Sequence, residues 1–277
     1  VLGGGAAGFF AALSVKKHHP QAKVILYEKT TKVLAKVKIS GGGRCNVTNS
    51  DSNIDTLCMA YPRGGKQLRN LFHRFNTSDT QEWFRSRGVP LKSEADGRVF
   101  PVSNQSQSII NCLMQEAEQL GVEIKYQSAV SSLTKQSNIW RIHFLNKTQE
   151  EEFESVIIAT GGSPKLQGFQ WLKDLGHSII NPIPSLFTFN IPGDSITQLM
   201  GVAVEDAKVK IKGYNIETSG ALLITHWGMS GPAILKASAF GAPALAECQY
   251  NFEIQVNWLG ERNTEILFNQ LQICALE

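Results

Sequence analysis

Six residues at the start of the chain, Gly3-Gly4-Gly5-Ala6-Ala7-Gly8, have the spacing with which a backbone loop holds a diphosphate. Gly3, Gly5 and Gly8 satisfy GxGxxG. In that pattern the first glycine permits a tight turn and the second lets the main chain approach a pyrophosphate. The third lets the following helix pack close to the sheet. The helix start then presents N–H groups and a positive dipole end to the negative charge. Alone, the motif describes an ordinary glycine turn equally well. Glu28 supplies the second half. It ends a β-rich run over residues 23–28, twenty residues beyond Gly8, where a carboxylate accepts hydrogen bonds from an adenosine ribose. A carboxylate there disfavours a 2′-phosphate, so FAD and NAD remain and NADP does not.

A second loop is denser still in polar groups. Residues 38–49 (KISGGGRCNVTN) carry three glycines, Arg44 and two asparagines. Backbone N–H donors and a guanidinium in that density suit further phosphate contacts or the carbonyl edge of a flavin. A flexible surface loop would have the same composition.

SGGGRCNVTN, following GGGAAG by a few tens of residues, resembles the signature of the BaiN-like (YhiN-type) flavoproteins, also described as aminoacetone oxidase family FAD-binding enzymes. GRVFPVS at residues 97–103, VIIATGG at 156–162 and THWGMSGP at 225–232 agree with that family, in family order, to about residue 240. The resemblance implies an α/β fold: a Rossmann-type, glutathione-reductase-like FAD-binding domain with an inserted mainly-β domain. It implies that Gly3, Gly5, Ala6, Ala7 and Gly8 hold the pyrophosphate and that Glu28, with Lys29 beside it, holds the ribose. Ser40, Gly42, Gly43, Arg44, Cys45 and Asn46 would lie along the cofactor, and Val130 near the adenine. Ala159, Thr160, Gly161 and Gly162, in the ATGG turn, would cross beneath the dinucleotide. Two departures stand out. Residues 163–168 are short where the family continues in a glycine-rich stretch, and a closing Gly-Glu and Asp-containing segment is missing from these 277 residues.

Composition narrows the class. The chain has 277 residues, 42% hydrophobic and 18% charged, with a formal charge of +3. Lys and Arg are scattered, which gives no positive case for nucleic acid. Cys45, Cys58, Cys112, Cys248 and Cys274 form no CxxC pair, and the six histidines show no HxxxH or HExxH spacing, so no metal site is read. Dispersed cysteines in odd number read as reduced thiols in a cytoplasmic protein. No apolar run approaches the ~20 residues that cross a bilayer, and no secretory signal precedes the glycine loop. The first strand, Val1-Leu2, is read as cut short, since such strands have about five residues; the expectation is a fragment.

The elements that must position these residues follow from periodicity and punctuation. The glycine loop opens a helix that ends at Pro20, and residues 23–28 form the next strand. Residues 30–50 read as loop. Helices are expected over residues 66–75, from a capping box at Ser78 and Gln81 towards Arg87, and over residues 106–120. Strands are expected at residues 122–126, 129–134, 140–145 and 152–159. A boundary near residues 183–185 separates a first part of the FAD-binding domain (residues 1–184) from the inserted mainly-β domain (residues 185–277), read as truncated. In the latter, strands are expected at residues 186–191, 207–211, 222–225 and 250–258, and a helix at 264–276. Trp83, Phe84, Phe72 and Phe75 have core spacing.

The leading functional expectation is an FAD-dependent oxidoreductase exchanging hydride at the flavin with a small organic substrate, by C=C reduction or amine oxidation. NAD(P)H, if used, enters the substrate cleft transiently, because only one GxGxxG is present. The alternatives are a flavin-dependent RNA pyrimidine reductase, which the mild positive charge and the basic stretch at Arg63, Lys66, Arg69 and Arg74 permit without favouring, and a degenerate flavoprotein acting as a binding module. An NAD dehydrogenase ranks last. Cys45 lacks a partner cysteine for redox work, and His226 and Ser230 lack a GxSxG elbow. No catalytic acid or base is assigned, no membrane partner is expected, and the oligomeric state is open.

Overall fold

The computed structural model describes residues 1–145 and 150–260. The helix expected at 264–276 lies outside the described residues. The chain divides into two compact units, Val1–Ile180 and Asn181–Glu277.

In the first unit, Leu2 bridges in parallel to Tyr27 on one side and Ile158 on the other. The glycine loop leads into α1 (Ala6–His18), and β1 (Ile25–Tyr27) returns beside Leu2. All three β1 residues are buried, as in a strand covered on both faces. Next come α2 (Ala35–Ile39), a 3-10 turn over Ser40–Gly43, and β2 (Thr48–Asn49). The loop expected over residues 30–50 is thus partly regular. Its helix is started by tertiary contact: Leu34 is buried and its N–H donates to the Gly4 carbonyl at 2.7 Å.

Three short helices follow, α3 (Ile54–Met59), α4 (Gly65–Phe72) and α5 (Thr77–Arg85). The capping box of α5 sits two residues before the expected pair. Asn76 accepts from the Ser78 and Asp79 amides, and Asp79 accepts from the Asn76 amide. Asparagine satisfies a helix start as well as serine does. β3 (Leu91–Ser93) and β4 (Arg98–Pro101) make an antiparallel pair, with β2 on the far edge of β4. α6 (Ser106–Gln119) then delivers β5 (Glu123–Lys125) in parallel beside β1. The parallel order is therefore β5, β1, Leu2, Ile158, the start of a doubly wound sheet.

β6 (Val130–Gln136), β7 (Ile139–Phe144) and β8 (Glu151–Phe153) form the expected antiparallel meander, followed by α7 (Gln170–Asp174). The strand expected over residues 152–159 is split: β8 closes the meander, and Ile158 joins the parallel sheet instead. Phe9, Leu13, Leu26, Phe84, Ile109 and Leu113 fill one core. Leu2, Ile25, Tyr27, Leu133, Ile142 and Phe144 fill another, so β1 feeds both. Burying each such side chain stabilises the unit by about 1.5–3 kcal/mol. Phe84 is core and Trp83 packs against it. Phe72 and Phe75 correct the expectation: α4 buries none of its residues, and Phe75 remains 44% exposed.

Among the described residues, the second unit is an antiparallel sheet with an α-helix packed on it. Its elements are β9 (Phe189–Asn190), β10 (Ala203–Ile211), β11 (Ile216–Thr225), β12 (Gly228–Ser230), α8 (Pro232–Glu247) and β13 (Ile254–Asn257). The strand order is β13-β10-β11-β12-β9. Ala207, Val209 and Ile211 alternate onto one buried face, the period-2 signature of a strand. His226 and Trp227 form the turn joining β11 to β12, where Thr225 pairs with Gly228. α8 is absent from the sequence expectations. It buries Ala233, Ala237, Ala242 and Leu245 and contains Pro243, so no amphipathic period announces it; its alanines and Pro232 at its first turn are its local signs.

Candidate dinucleotide site

The site is built where Leu2 leaves the parallel sheet. Gly3 donates its N–H to the Tyr27 carbonyl at 2.8 Å and has φ +110°, a conformation that L side chains avoid. A Cβ there would stand 2.4 Å from the Ala159 carbonyl oxygen. At Gly8 a Cβ would stand 1.9 Å from the Gly3 carbonyl oxygen. Both glycines are thus required by the fold before any ligand is considered. Gly5 differs. It precedes α1 with no side-chain cap, and a Cβ built on it meets nothing within 4 Å. Ala6 and Ala7 are exposed beside it, and the first turn of α1 carries no acidic residue. An open glycine at an uncapped helix start is a cradle that a side chain would fill and an anion can enter.

Glu28 follows β1 directly and is held from two sides. Its Oε2 accepts the Gly4 N–H at 3.0 Å, and its Oε1 accepts the Thr30 amide at 2.8 Å, with the Thr30 hydroxyl at the same distance. An ionised carboxylate offers about four acceptor positions, so capacity remains for ribose hydroxyls. Thr30 was not among the expected site residues, although a threonine two positions after a carboxylate is a readable signal for this turn.

A cleft of about 390 Å³ collects seven of the eighteen expected residues. Gly3, Glu28, Lys29, Val130, Thr160, Gly161 and Gly162 line it, with Ser128, Phe169 and Trp171. Ala159 packs behind them, its carbonyl against Gly3. Phe169 and Trp171 carry no local sequence signal; long-range folding alone brings them here. The cleft fits a dinucleotide's adenosine half, with a carboxylate for ribose and apolar walls for a base, and the α1 start, outside that lining, is open for phosphate.

Residues 40–46 are arranged differently. None of them lines that cleft. Gly41 has φ +57°, and a Cβ there would press to 2.8 Å on the Asn46 amide, so the glycine sets a tight reversal. Ser40, Gly42, Gly43 and Asn46 are partly or fully exposed, and nothing lies within 4 Å of a Cβ on Gly42 or Gly43. Arg44 is engaged by the protein itself. Its Nη1 bonds Glu94 Oε1 at 2.6 Å, and its guanidinium stacks 4.0 Å above Phe100. Cys45 turns into the core at 6% exposure. Burial pushes its thiol above the usual cysteine range, and a hydrogen bond with Ser40 offsets this in part. An inert buried thiol is the result. Among the described residues no group of three or more His, Cys, Asp or Glu could hold a metal ion, and no helix is long and apolar enough to cross a membrane.

Known proteins bear on this geometry. The family described as HI0933-like protein Rossmann domain matches residues 1–246. The chain is 26% identical over 271 residues to a 3-dehydro-bile acid delta(4,6)-reductase of Clostridium scindens, covering 94% of this chain and 64% of that protein. It is 26% identical over 280 residues to a ribosomal RNA dihydrouridine synthase of Haemophilus influenzae, covering 98% and 66%. The chain therefore spans just under two thirds of the length of these relatives. Among solved structures, the open conformation of a flavocytochrome c3 fumarate reductase superposes with TM-score 0.53 at 21% identity, covering 74% of this chain and 46% of that one. That likeness establishes the fold.

Proposed function

The chain belongs to the HI0933-like Rossmann-domain family of FAD-binding proteins, and from that premise we propose an FAD-dependent oxidoreductase that reduces a C=C bond conjugated to a carbonyl in a small organic substrate. The observation that carries the cofactor reading is the pairing of the open Gly5 cradle with the doubly held Glu28 carboxylate, which accepts the N–H of Gly4, the residue before Gly5. When bound, FAD would supply the two-electron chemistry. The protein's part is to hold and orient it. The α1 start and Gly5 would take the diphosphate, Glu28 and Lys29 the ribose, and Val130 with Trp171 the adenine. Thr160 to Gly162 would run beneath the dinucleotide. The exposed Gly42 and Gly43 amides would serve the distal part of the cofactor. The inserted mainly-β reading of the second unit belongs to this proposal, as does NAD(P)H as a transient donor.

The C=C chemistry draws on the names of two relatives, a bile acid reductase and a dihydrouridine synthase, which both describe saturation of such a bond. The test is the visible spectrum of the purified protein with mass spectrometry of the heat-released ligand, then anaerobic bleaching by NADH or NADPH and reoxidation by an enone. Protein that is colourless and refuses added FAD would sink the proposal.

A second reading, an RNA pyrimidine reductase, draws on α4 and its approach. Residues 60–75 hold Arg63, Lys66, Arg69 and Arg74 and no acidic residue. Within them Tyr61, Leu71 and Phe75 stand exposed, and the Tyr61 and Phe72 rings lie 5.7 Å apart. Aromatic faces among cations are the physical basis of single-stranded RNA binding. RNA affinity that falls steeply with salt, and further in Arg74→Glu, would favour this reading; salt-independent affinity would exclude it.

A further inference from the structure

We propose that Lys36 is the cation that neutralises the cofactor's diphosphate, an inference that rests on the FAD reading above. α2 hangs from the glycine loop. The Leu34 N–H donates to the Gly4 carbonyl at 2.7 Å, and Val33 Cγ1 lies 2.7 Å from where a Cβ on Gly4 would stand. Two residues on, Lys36 reaches the opposite backbone segment: its Nζ lies 3.8 Å from the Cβ position of Gly161. One short helix is thus anchored on the glycine loop and sends an ammonium to the Thr160–Gly162 turn.

Charge balance gives that ammonium a role. A dinucleotide diphosphate brings about two negative charges, while a helix start offers about half a positive charge. Two other nearby cations are engaged by the protein itself. Lys38 donates to Gln107 Oε1 at 3.0 Å, and Arg44 is held by Glu94 and Phe100. Lys29 lines the cleft next to Glu28, at the ribose end. Lys36 is exposed and makes no ion pair among the described residues. Its charge is available to a ligand entering between the loop and the turn.

The experiment titrates FAD and adenosine into wild type, Lys36→Gln and Lys36→Arg, following flavin fluorescence and calorimetry at low and high salt. Lys36→Gln should weaken FAD binding about fivefold at low salt, with the gap closing at high salt as screening removes the ion pair. Adenosine affinity should stay unchanged, and Lys36→Arg should restore most FAD affinity. A Lys36→Gln protein that binds FAD as wild type does, or loses FAD and adenosine alike, overturns the inference while leaving the cofactor reading intact. Wild-type protein that takes up no FAD overturns both.

Discussion

At the scale of single residues, three glycines in one motif do three separable jobs. Gly3 and Gly8 are demanded by the backbone, because an added Cβ would stand 2.4 Å and 1.9 Å from a carbonyl oxygen, so Gly8→Val should unfold or strongly destabilise the first unit whatever its ligand. Gly5 faces open space. Gly5→Ala should therefore fold with an unchanged melting temperature and yet bind FAD at least about tenfold more weakly, because the methyl occupies the cradle. Equal FAD affinity in Gly5→Ala, measured by fluorescence titration, would show that no phosphate approaches there. Cys45 makes a second residue-scale case. Burial, as the larger cause, raises its thiol above the ordinary range, so at pH 8 it stays protonated and shielded. An Ellman's-reagent assay should count the same number of fast-reacting thiols in native wild type and in native Cys45→Ala. One fewer in the variant would mean that Cys45 is accessible and reactive.

At the scale of elements, helix starts were legible in kind and slipped in position. α5 is capped by Asn76 and Asp79, two residues upstream of the Ser78–Gln81 pair that also has the right spacing. Asn76→Ala should destabilise the first unit by about 1 kcal/mol, and Ser78→Ala by no more than a few tenths. Urea unfolding separates the two; equal effects would return the cap to Ser78. Neither α2 nor α8 has a periodic signal. α2 is seeded by the buried Leu34 bonding the glycine loop, and α8 is an Ala-rich helix sunk into its sheet, with Gly241 letting Ile211 and Ile216 approach to 3.2 Å of its Cβ position. Spacing pointed to core for Phe72 and Phe75, yet α4, which ends at Phe72, buries nothing, and Phe75 beyond it stays exposed. A sequence period shows that a helix has an apolar side and cannot show what covers it.

At the scale of the whole molecule, the expected cofactor groups lie in Val1–Ile180, while Asn181–Glu277 carries a separate core around Val209, Leu222 and Ile234. Ile234→Ala removes a fully buried side chain and should destabilise the second unit by about 2–5 kcal/mol. FAD affinity should be preserved below the melting range of that unit. Hydrogen exchange followed by peptide mass would localise the lost protection; loss spread through residues 1–180, or a matching loss of FAD affinity, would show that the units depend on each other.

What the sequence determined by itself is the local chemistry. The spacing of Gly3, Gly5 and Gly8, and of Glu28 after them, dictates a loop, a helix and a strand end, because each requirement acts within one βαβ unit of chain. The same holds for the meander β6–β8 and for the alternating strand β10. Tertiary structure decided which residues share a cleft. It brought Val130, Thr160, Phe169 and Trp171 to Glu28, turned Cys45 inward, tied Arg44 to Glu94 and carried Lys36 across to Gly161. Those pairings span tens to more than a hundred residues, and closing such loops leaves no local periodicity to read.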